Sequence, residues 1–197
     1  MGADLEVEMD VRELVVAGID GFTEKVRAVP DDRWDAPTPC TEWSVRDLVN
    51  HMTSEHLWAP HLLRGETLDQ VGDRYDGDVL GDDPVDAWER AADASRAMWL
   101  EVAPGTPVHL SIGPTPVEEY AEQMHLDLVV HGWDLARGGG IDDSIDPAIA
   151  ERELGYVDTV LDDWPGLFAA PVETPSAVPG AVLVARLGRD PDWDPAR

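Results

Sequence analysis

Apolar residues recur at spacings of three and four over most of the chain, which is the period of an amphipathic α-helix. The pattern predicts helices over residues 10–29, 44–64, 84–103 and 117–137, and a fifth over residues 147–163. Prolines and glycines mark several of the predicted ends. The sequence therefore predicts an all-α fold in which four substantial helices form a bundle.

The segments between the predicted helices carry other signals. Residues 65–83 are rich in glycine and aspartate and lack apolar periodicity, which predicts a surface loop long enough to act as a lid. Residues 106–115 alternate between apolar and polar and predict one short strand or extended segment. Thr115 and Pro116 are expected to cap the helix that follows.

The end of the chain has a different composition from the helices. Residues 164–197 contain many prolines and predict a mostly irregular extension, in which residues 181–187 are apolar enough to be ordered. A length of 197 residues fits one ordinary domain. We therefore predict a single domain over residues 1–197, with the bundle over about residues 10–163.

Composition narrows the classes of function. Lys and Arg total 14 against 41 Asp and Glu, a formal net charge of −27 that argues against binding nucleic acid or anionic lipid. No apolar stretch approaches the ~20 residues that a bilayer crossing requires. The acidic first nine residues do not resemble a secretion signal, so a cytoplasmic location is expected. Cys40 is the single cysteine, so any metal site must use histidines and carboxylates.

A narrow polar stripe runs along the fourth predicted helix, which is otherwise apolar around much of its circumference. Positions four apart differ by only about 40° around a helix axis, so Asp127 and His131 face the same way. If the stripe points into the bundle, both groups have lost water and need a partner, and a divalent cation would serve. The stripe consists of Gln123, Asp127, His131 and Asp134.

A third donor is available on the second predicted helix. His51 lies between Asp47 and Glu55 in another polar stripe with a spacing of four. Two imidazoles and one carboxylate with an open position suit Zn, Ni, Fe or Mn about equally. His51, Asp127 and His131 are therefore the candidate metal ligands.

Simpler interpretations of the same residues remain open. The stripe can be the hydrated face of an amphipathic helix, and Asp127 with His131 can be a hydrogen-bonded pair that orients two helices. His51 alone can be an ordinary core or surface histidine. Cys40 is interpreted as a packed, inert thiol, because no nearby cation in the sequence would lower its pKa strongly. The remaining histidines are interpreted as structural or exposed; they are His56, His61, His109 and His125.

Two stretches together carry a family resemblance. The run TPCTEWSVRDLVNH at residues 38–51, followed by Asp127-x-x-x-His131-x-Trp-Asp-Leu-Ala, resembles the DinB/YfiT-like superfamily. The resemblance spans about residues 10–163 and extends to the terminal segment LGRDP at residues 187–191, which is similar to the end of stand-alone members. Within it, the chain is most similar to relatives of the metal-binding domain of mycothiol-dependent maleylpyruvate isomerase. The resemblance implies an up-down-down-up four-helix bundle that binds a divalent metal, commonly zinc, through His51, Asp127 and His131. Asp127 is a departure, because the isomerase has glutamate at that position.

The resemblance also implies a type of reaction. The metal would favour the thiolate of a low-molecular-weight thiol such as mycothiol, which would then attack a small electrophilic substrate. The expected function is thus a metal-dependent, thiol-using transferase or isomerase, with Glu55 as a general base or as a group that supports the ligands. The alternatives are a non-catalytic bundle that binds a metal or small ligand, and a metal-free structural bundle. A homodimer is a further possibility for such a bundle.

Overall fold

The computed structural model describes residues 9–161 and 168–195, and within them the chain is predominantly helical. This confirms the predicted all-α fold. The first four predicted helices match the observed ones to within two residues at each end, while the predicted end of the fifth, at residue 163, lies outside the described residues. The single-domain extent over residues 1–197 stays a prediction.

The elements are α1 (Val11–Ala28), a 3-10 turn (Asp31–Arg33), α2 (Val45–Leu63), α3 (Leu68–Val71), α4 (Pro84–Glu101), β1 (Pro107–Leu110), β2 (Gly113–Pro116), α5 (Val117–Gly139), α6 (Pro147–Val160) and α7 (Pro179–Arg186).

Helices α1, α2, α4 and α5 form the bundle. α1 and α2 each pack against both α4 and α5, so α1 and α2 occupy opposite corners. Indole rings fill part of the core: Trp88 is fully buried, its ring centroid lies 4.7 Å from that of Phe22, and its Nε1 donates to Thr23 Oγ1 at 2.9 Å. The core thus satisfies the polar atom of a large aromatic side chain internally.

Helix α5 is the central element of the molecule, with sixteen of its 23 residues buried. One side contributes Met124 and Leu128 to the bundle core. The other side contributes Leu126 and Val130 to a second apolar cluster formed with α6 and α7. α5 therefore has little surface left for solvent, and polar groups along it need partners inside the protein.

The structure corrects the predictions for residues 106–116. The segment is not one strand but an antiparallel hairpin of β1 and β2, with Leu110 paired to Gly113. Gly113 has a φ of +108°, a conformation that suits glycine at a tight turn. The predicted cap is also wrong in part: Thr115 lies in β2 and Pro116 occupies the N-cap position of α5 without a side-chain hydrogen bond.

The long segment after α2 is attached to that helix along its length. Asn50 on α2 donates to Gly77 O and accepts from Val79 N, and Ser54 donates to Tyr75 O. None of residues 65–83 lines the cavity described below. The segment therefore does not lie over this cavity, where its length suggested a lid.

The C-terminal extension is more ordered than expected. α7 forms over Pro179–Arg186 and packs against α6. Its proline at the first helical position and a glycine just after its end are the usual signals of helix boundaries. Among residues 9–161 and 168–195, no helix combines the length and apolarity needed to cross a bilayer.

Candidate metal centre

The start of α2 sets the position of His51. Ser44 is the N-cap: its hydroxyl accepts from the amide of Asp47, whose carboxylate accepts from the amide of Ser44 at 3.0 Å. This reciprocal capping box fixes where the helix begins. His51 and Glu55 follow on one face of α2, one helical turn apart.

The C-terminal half of α5 is held close to the segment that leads into α2. Gly138 lies so near this segment that a Cβ there would meet Thr38 Cγ2 and Val45 Cγ2 at 2.9 Å. Arg33 Nη2 also donates to the carbonyl of Gly138 at 2.8 Å. This close approach brings the α5 residues Asp127 and His131 opposite α2.

The three candidate ligands converge at this junction. One donor atom from each of His51, Asp127 and His131 lies within 4.8 Å of the other two. The Nε2 atoms of His51 and His131 are each 3.9 Å from a carboxylate oxygen of Asp127, beyond hydrogen-bond distance. Donors about 2.0–2.2 Å from a tetrahedral zinc ion lie about 3.4 Å apart. The spacing is therefore closer to that of ligands around a shared ion than to that of a hydrogen-bonded pair.

The candidate ligands lie in the wall of a cavity of about 830 Å³. The Trp43 ring packs against both imidazoles, with its centroid 4.7 Å from that of His51 and 5.7 Å from that of His131. The cavity has room for a small-molecule ligand beside the three donors. Its other lining residues are Pro39, Cys40, Thr41, Glu42, Glu55, Leu110, Ser111, Ile112, Gln123, Leu126, Phe168, Ala169, Leu187, Gly188 and Arg189.

Burial shifts the pKa of two groups at the centre, His51 and Glu55. Burial lowers the pKa of His51, which favours the neutral imidazole that a metal requires. Burial also raises the pKa of Glu55 to about 7, and the negative charge of Asp127 adds to the effect while His131 opposes it. Glu55 is thus poised to exchange a proton near neutral pH.

A further pair of residues supports His131 through its Nδ1 atom. His131 Nδ1 lies 3.2 Å from Asp134 Oδ2, and Arg189 Nη2 donates to the same oxygen at 3.0 Å. Asp134 belongs to the polar stripe of the sequence, where its spacing predicts no particular role. Arg189 comes 55 residues later, in an extension predicted to be mostly irregular.

The remaining candidates lie in other environments. His56 is fully buried and its Nδ1 is 2.9 Å from Ser95 Oγ. His61 interacts with Glu66 and Tyr75, and His125 is buried against Glu153 at 2.7 Å. Cys40 faces the cavity; burial, with a smaller contribution from Asp134, raises the pKa of its thiol. These placements agree with the structural interpretation of the histidines and with a weakly reactive Cys40 thiol. The fourth histidine, His109, lies in β1.

The structure defines the chain as a helical bundle with candidate metal ligands at the junction of α2 with α5. The sequence model described as the mycothiol maleylpyruvate isomerase N-terminal domain matches residues 15–136, which is more than half of the chain. The chain belongs to this family.

Two curated proteins of Mycobacterium tuberculosis are similar to the chain. They are the uncharacterized protein Rv0738 of strain ATCC 25618 / H37Rv and the uncharacterized protein MT0763 of strain CDC 1551 / Oshkosh. Each is 27% identical over 140 residues, which cover 68% of this chain and 70% of the relative. No solved structure is significantly similar to the chain.

Proposed function

We propose that this protein is a divalent-metal-dependent transferase or isomerase that uses a low-molecular-weight thiol of the mycothiol type on a small electrophilic substrate. The observation that carries the proposal is the convergence of His51, Asp127 and His131 in the wall of a cavity. Membership of the mycothiol maleylpyruvate isomerase N-terminal family supports the choice of thiol.

The donor set fits a divalent cation. Two neutral imidazoles and one carboxylate are ligands that zinc and its first-row neighbours accept, and three protein ligands leave a position open. A cation held there would stabilise the thiolate form of a bound thiol near neutral pH. Asp127 has a shorter side chain than glutamate, so its carboxylate stays close to α5.

The surrounding residues supply binding and proton transfer. Trp43, Leu126 and Leu187 give the cavity apolar walls against which the apolar part of a small ligand can pack. Glu55, with its pKa near 7, accepts the thiol proton or returns a proton to the product. The cavity opens to small molecules, so we propose an electrophile of that size as the second substrate.

Metal content is the first test. The purified chain is expected to bind about one divalent ion per molecule, and His131→Ala is expected to lose it. His109→Ala is the matched control, because it removes an imidazole that does not line the cavity. Full metal content in His131→Ala, or none in the unaltered protein, would refute the ligand assignment.

Thiol-dependent turnover is the second test. The metal-loaded protein is incubated with mycothiol and chlorodinitrobenzene, where the sulfur displaces chloride, and separately with maleylpyruvate, where isomerisation is followed. Activity that disappears after chelation and in His131→Ala supports the proposal. Stoichiometric metal without turnover of any thiol would favour a non-catalytic metal-binding bundle instead.

A further inference from the structure

We propose that Asp134, held by Arg189 from the C-terminal extension, is the positioning residue that orients His131 toward the other two donors. The inference deepens the proposed function and rests on it for the metal that His131 would bind. It assigns a role to a segment outside the residues that the family model matches, 15–136. The centre is then complete only when the extension is docked.

The two nitrogens of His131 have different neighbours. Nδ1 is 3.2 Å from Asp134 Oδ2, whereas Nε2 is 3.9 Å from Asp127 Oδ1. A carboxylate accepts a hydrogen bond, so Asp134 favours the tautomer with the proton on Nδ1. The lone pair of Nε2 is then free on the nitrogen that lies nearer Asp127, as a ligand requires.

Arg189 is the cationic partner of the Asp134 carboxylate. The Asp134 side chain is fully buried, and an isolated buried carboxylate is costly. Arg189, itself 8% exposed, donates to Asp134 through Nη2 at 3.0 Å, and its Nη1 donates to Leu187 O at 3.0 Å. The guanidinium therefore holds the Asp134 carboxylate in place, and that carboxylate in turn contacts His131.

The end of α7 determines where Arg189 lies. Gly188 has a φ of +81° and follows α7 in a Schellman motif: Arg189 N donates to Val184 O at 2.9 Å and Gly188 N donates to Ala185 O at 3.1 Å. A Cβ at Gly188 would lie 2.6 Å from Ala169 Cβ. Both the conformation and the packing thus call for glycine, and they direct the next side chain into the cavity wall.

Cys40, His131 and Asp134 also bring donor atoms within 4.8 Å of one another, which suggests a second metal site as a competing role. The structure favours the positioning role. Asp134 already interacts with the guanidinium and with Nδ1 of His131, so its charge is compensated without an ion. Removing the Cys40 thiol should therefore leave metal binding unchanged.

The first experiment measures the Zn²⁺ affinity of the full chain by competition with a chromophoric chelator. Asp134→Asn is expected to weaken binding about 10- to 100-fold while the stoichiometry stays the same. Arg189→Gln should also weaken it, and Arg189→Lys should recover part of the loss. The matched controls are Arg186→Gln and Asp158→Asn, which break an exposed ion pair of the same 3.0 Å length.

The second experiment needs no metal and therefore separates this inference from the proposed function. Nitrogen NMR of the histidine rings of the metal-free chain at pH 8 reports the tautomer of His131. The unaltered chain is expected to show the Nδ1-protonated form, and Asp134→Asn and Arg189→Gln should shift the population toward the Nε2-protonated form. The control variants should leave the spectrum of His131 unchanged.

The outcomes are distinct. An unchanged tautomer in both Asp134→Asn and Arg189→Gln, with folding verified by circular dichroism, overturns the positioning role even if Zn²⁺ binds. Loss of Zn²⁺ in Cys40→Ala would also overturn it, in favour of the competing site. Failure of the unaltered chain to bind any of Zn²⁺, Ni²⁺, Fe²⁺ and Mn²⁺ refutes the proposed function, and the tautomer measurement still decides whether Asp134 orients His131.

Discussion

Two adjacent titratable residues of α2, the half-buried Glu55 and the fully buried His56, have opposite effects on stability. Burial raises the pKa of Glu55 to about 7 and lowers that of His56 to about 3. Each group is therefore favoured in its neutral form by the folded state. Because one is an acid and the other a base, their contributions to unfolding free energy change with pH in opposite directions.

As the pH rises, the Glu55→Gln variant should lose less unfolding free energy than the unaltered chain. The folded pKa of Glu55 lies above its usual value of 4.5, so the unfolded chain releases this proton first and stability falls as pH rises from about 4.5 to 7. For this group the slope approaches about 1.4 kcal/mol per pH unit. Urea unfolding of the metal-free chain at several pH values measures this dependence of unfolding free energy on pH. Parallel profiles for variant and unaltered chain would contradict the assigned burial.

As the pH falls below 6.5, the His56→Gln variant should lose less unfolding free energy than the unaltered chain. The folded pKa of His56 lies below its usual value of 6.5, so the unfolded chain takes up a proton first and stability falls as pH decreases from about 6.5 toward 3. Again the expected slope is up to about 1.4 kcal/mol per pH unit. The same unfolding series, compared between variant and unaltered chain below pH 6.5, tests this. Protonation of His56 in the native state at pH 5, seen by NMR, would contradict it.

Among the elements, α5 and the segment before α2 approach each other so closely that a single substitution can test the contact. Gly138→Ala is expected to destabilise the fold by about 1–3 kcal/mol, because the new methyl group would meet Thr38, Val45 and the carbonyl of Pro37. Thermal unfolding measures the effect, and reduced metal affinity should accompany it because α5 shifts relative to α2.

Gly155→Ala is the matched control for this prediction. Gly155 lies within α6 and a Cβ there would meet no atom within 4 Å. The substitution should stabilise the protein by about 0.5–1 kcal/mol through helix propensity alone. If both alanine variants behave alike, the close approach at Gly138 does not hold α5 in place.

The helices could be predicted from sequence because each carries an apolar stripe of regular period. Asp127 and His131 could be placed on one face of a helix because they are four residues apart. The hairpin was missed because its strands are only four residues long and include Pro107, Pro114 and Pro116, which weaken a strand signal. Arg189 could not be matched to Asp134, since the contact depends on how α6 and α7 pack on α5. Only long-range packing, which has no local period, brings the two together.

For the whole molecule, the net charge of −27 is the dominant electrostatic feature. Self-repulsion of this size destabilises the compact state and is screened by salt. We expect the melting temperature of the metal-free chain to rise by several degrees between about 10 mM and 150 mM sodium chloride, over which the Debye length falls from about 30 to 8 Å. A falling melting temperature would show that surface ion pairs outweigh the repulsion.

Because Trp43 packs against both imidazoles, its fluorescence can report the binding of a metal at the centre. An indole ring this close to two histidines transfers excitation to a paramagnetic ion bound between them, so its fluorescence emission should decrease as Co²⁺ or Ni²⁺ is added. The difference in emission between the unaltered chain and Trp43→Phe isolates this signal from the other seven tryptophans. The protein thus carries an intrinsic reporter of what occupies its centre.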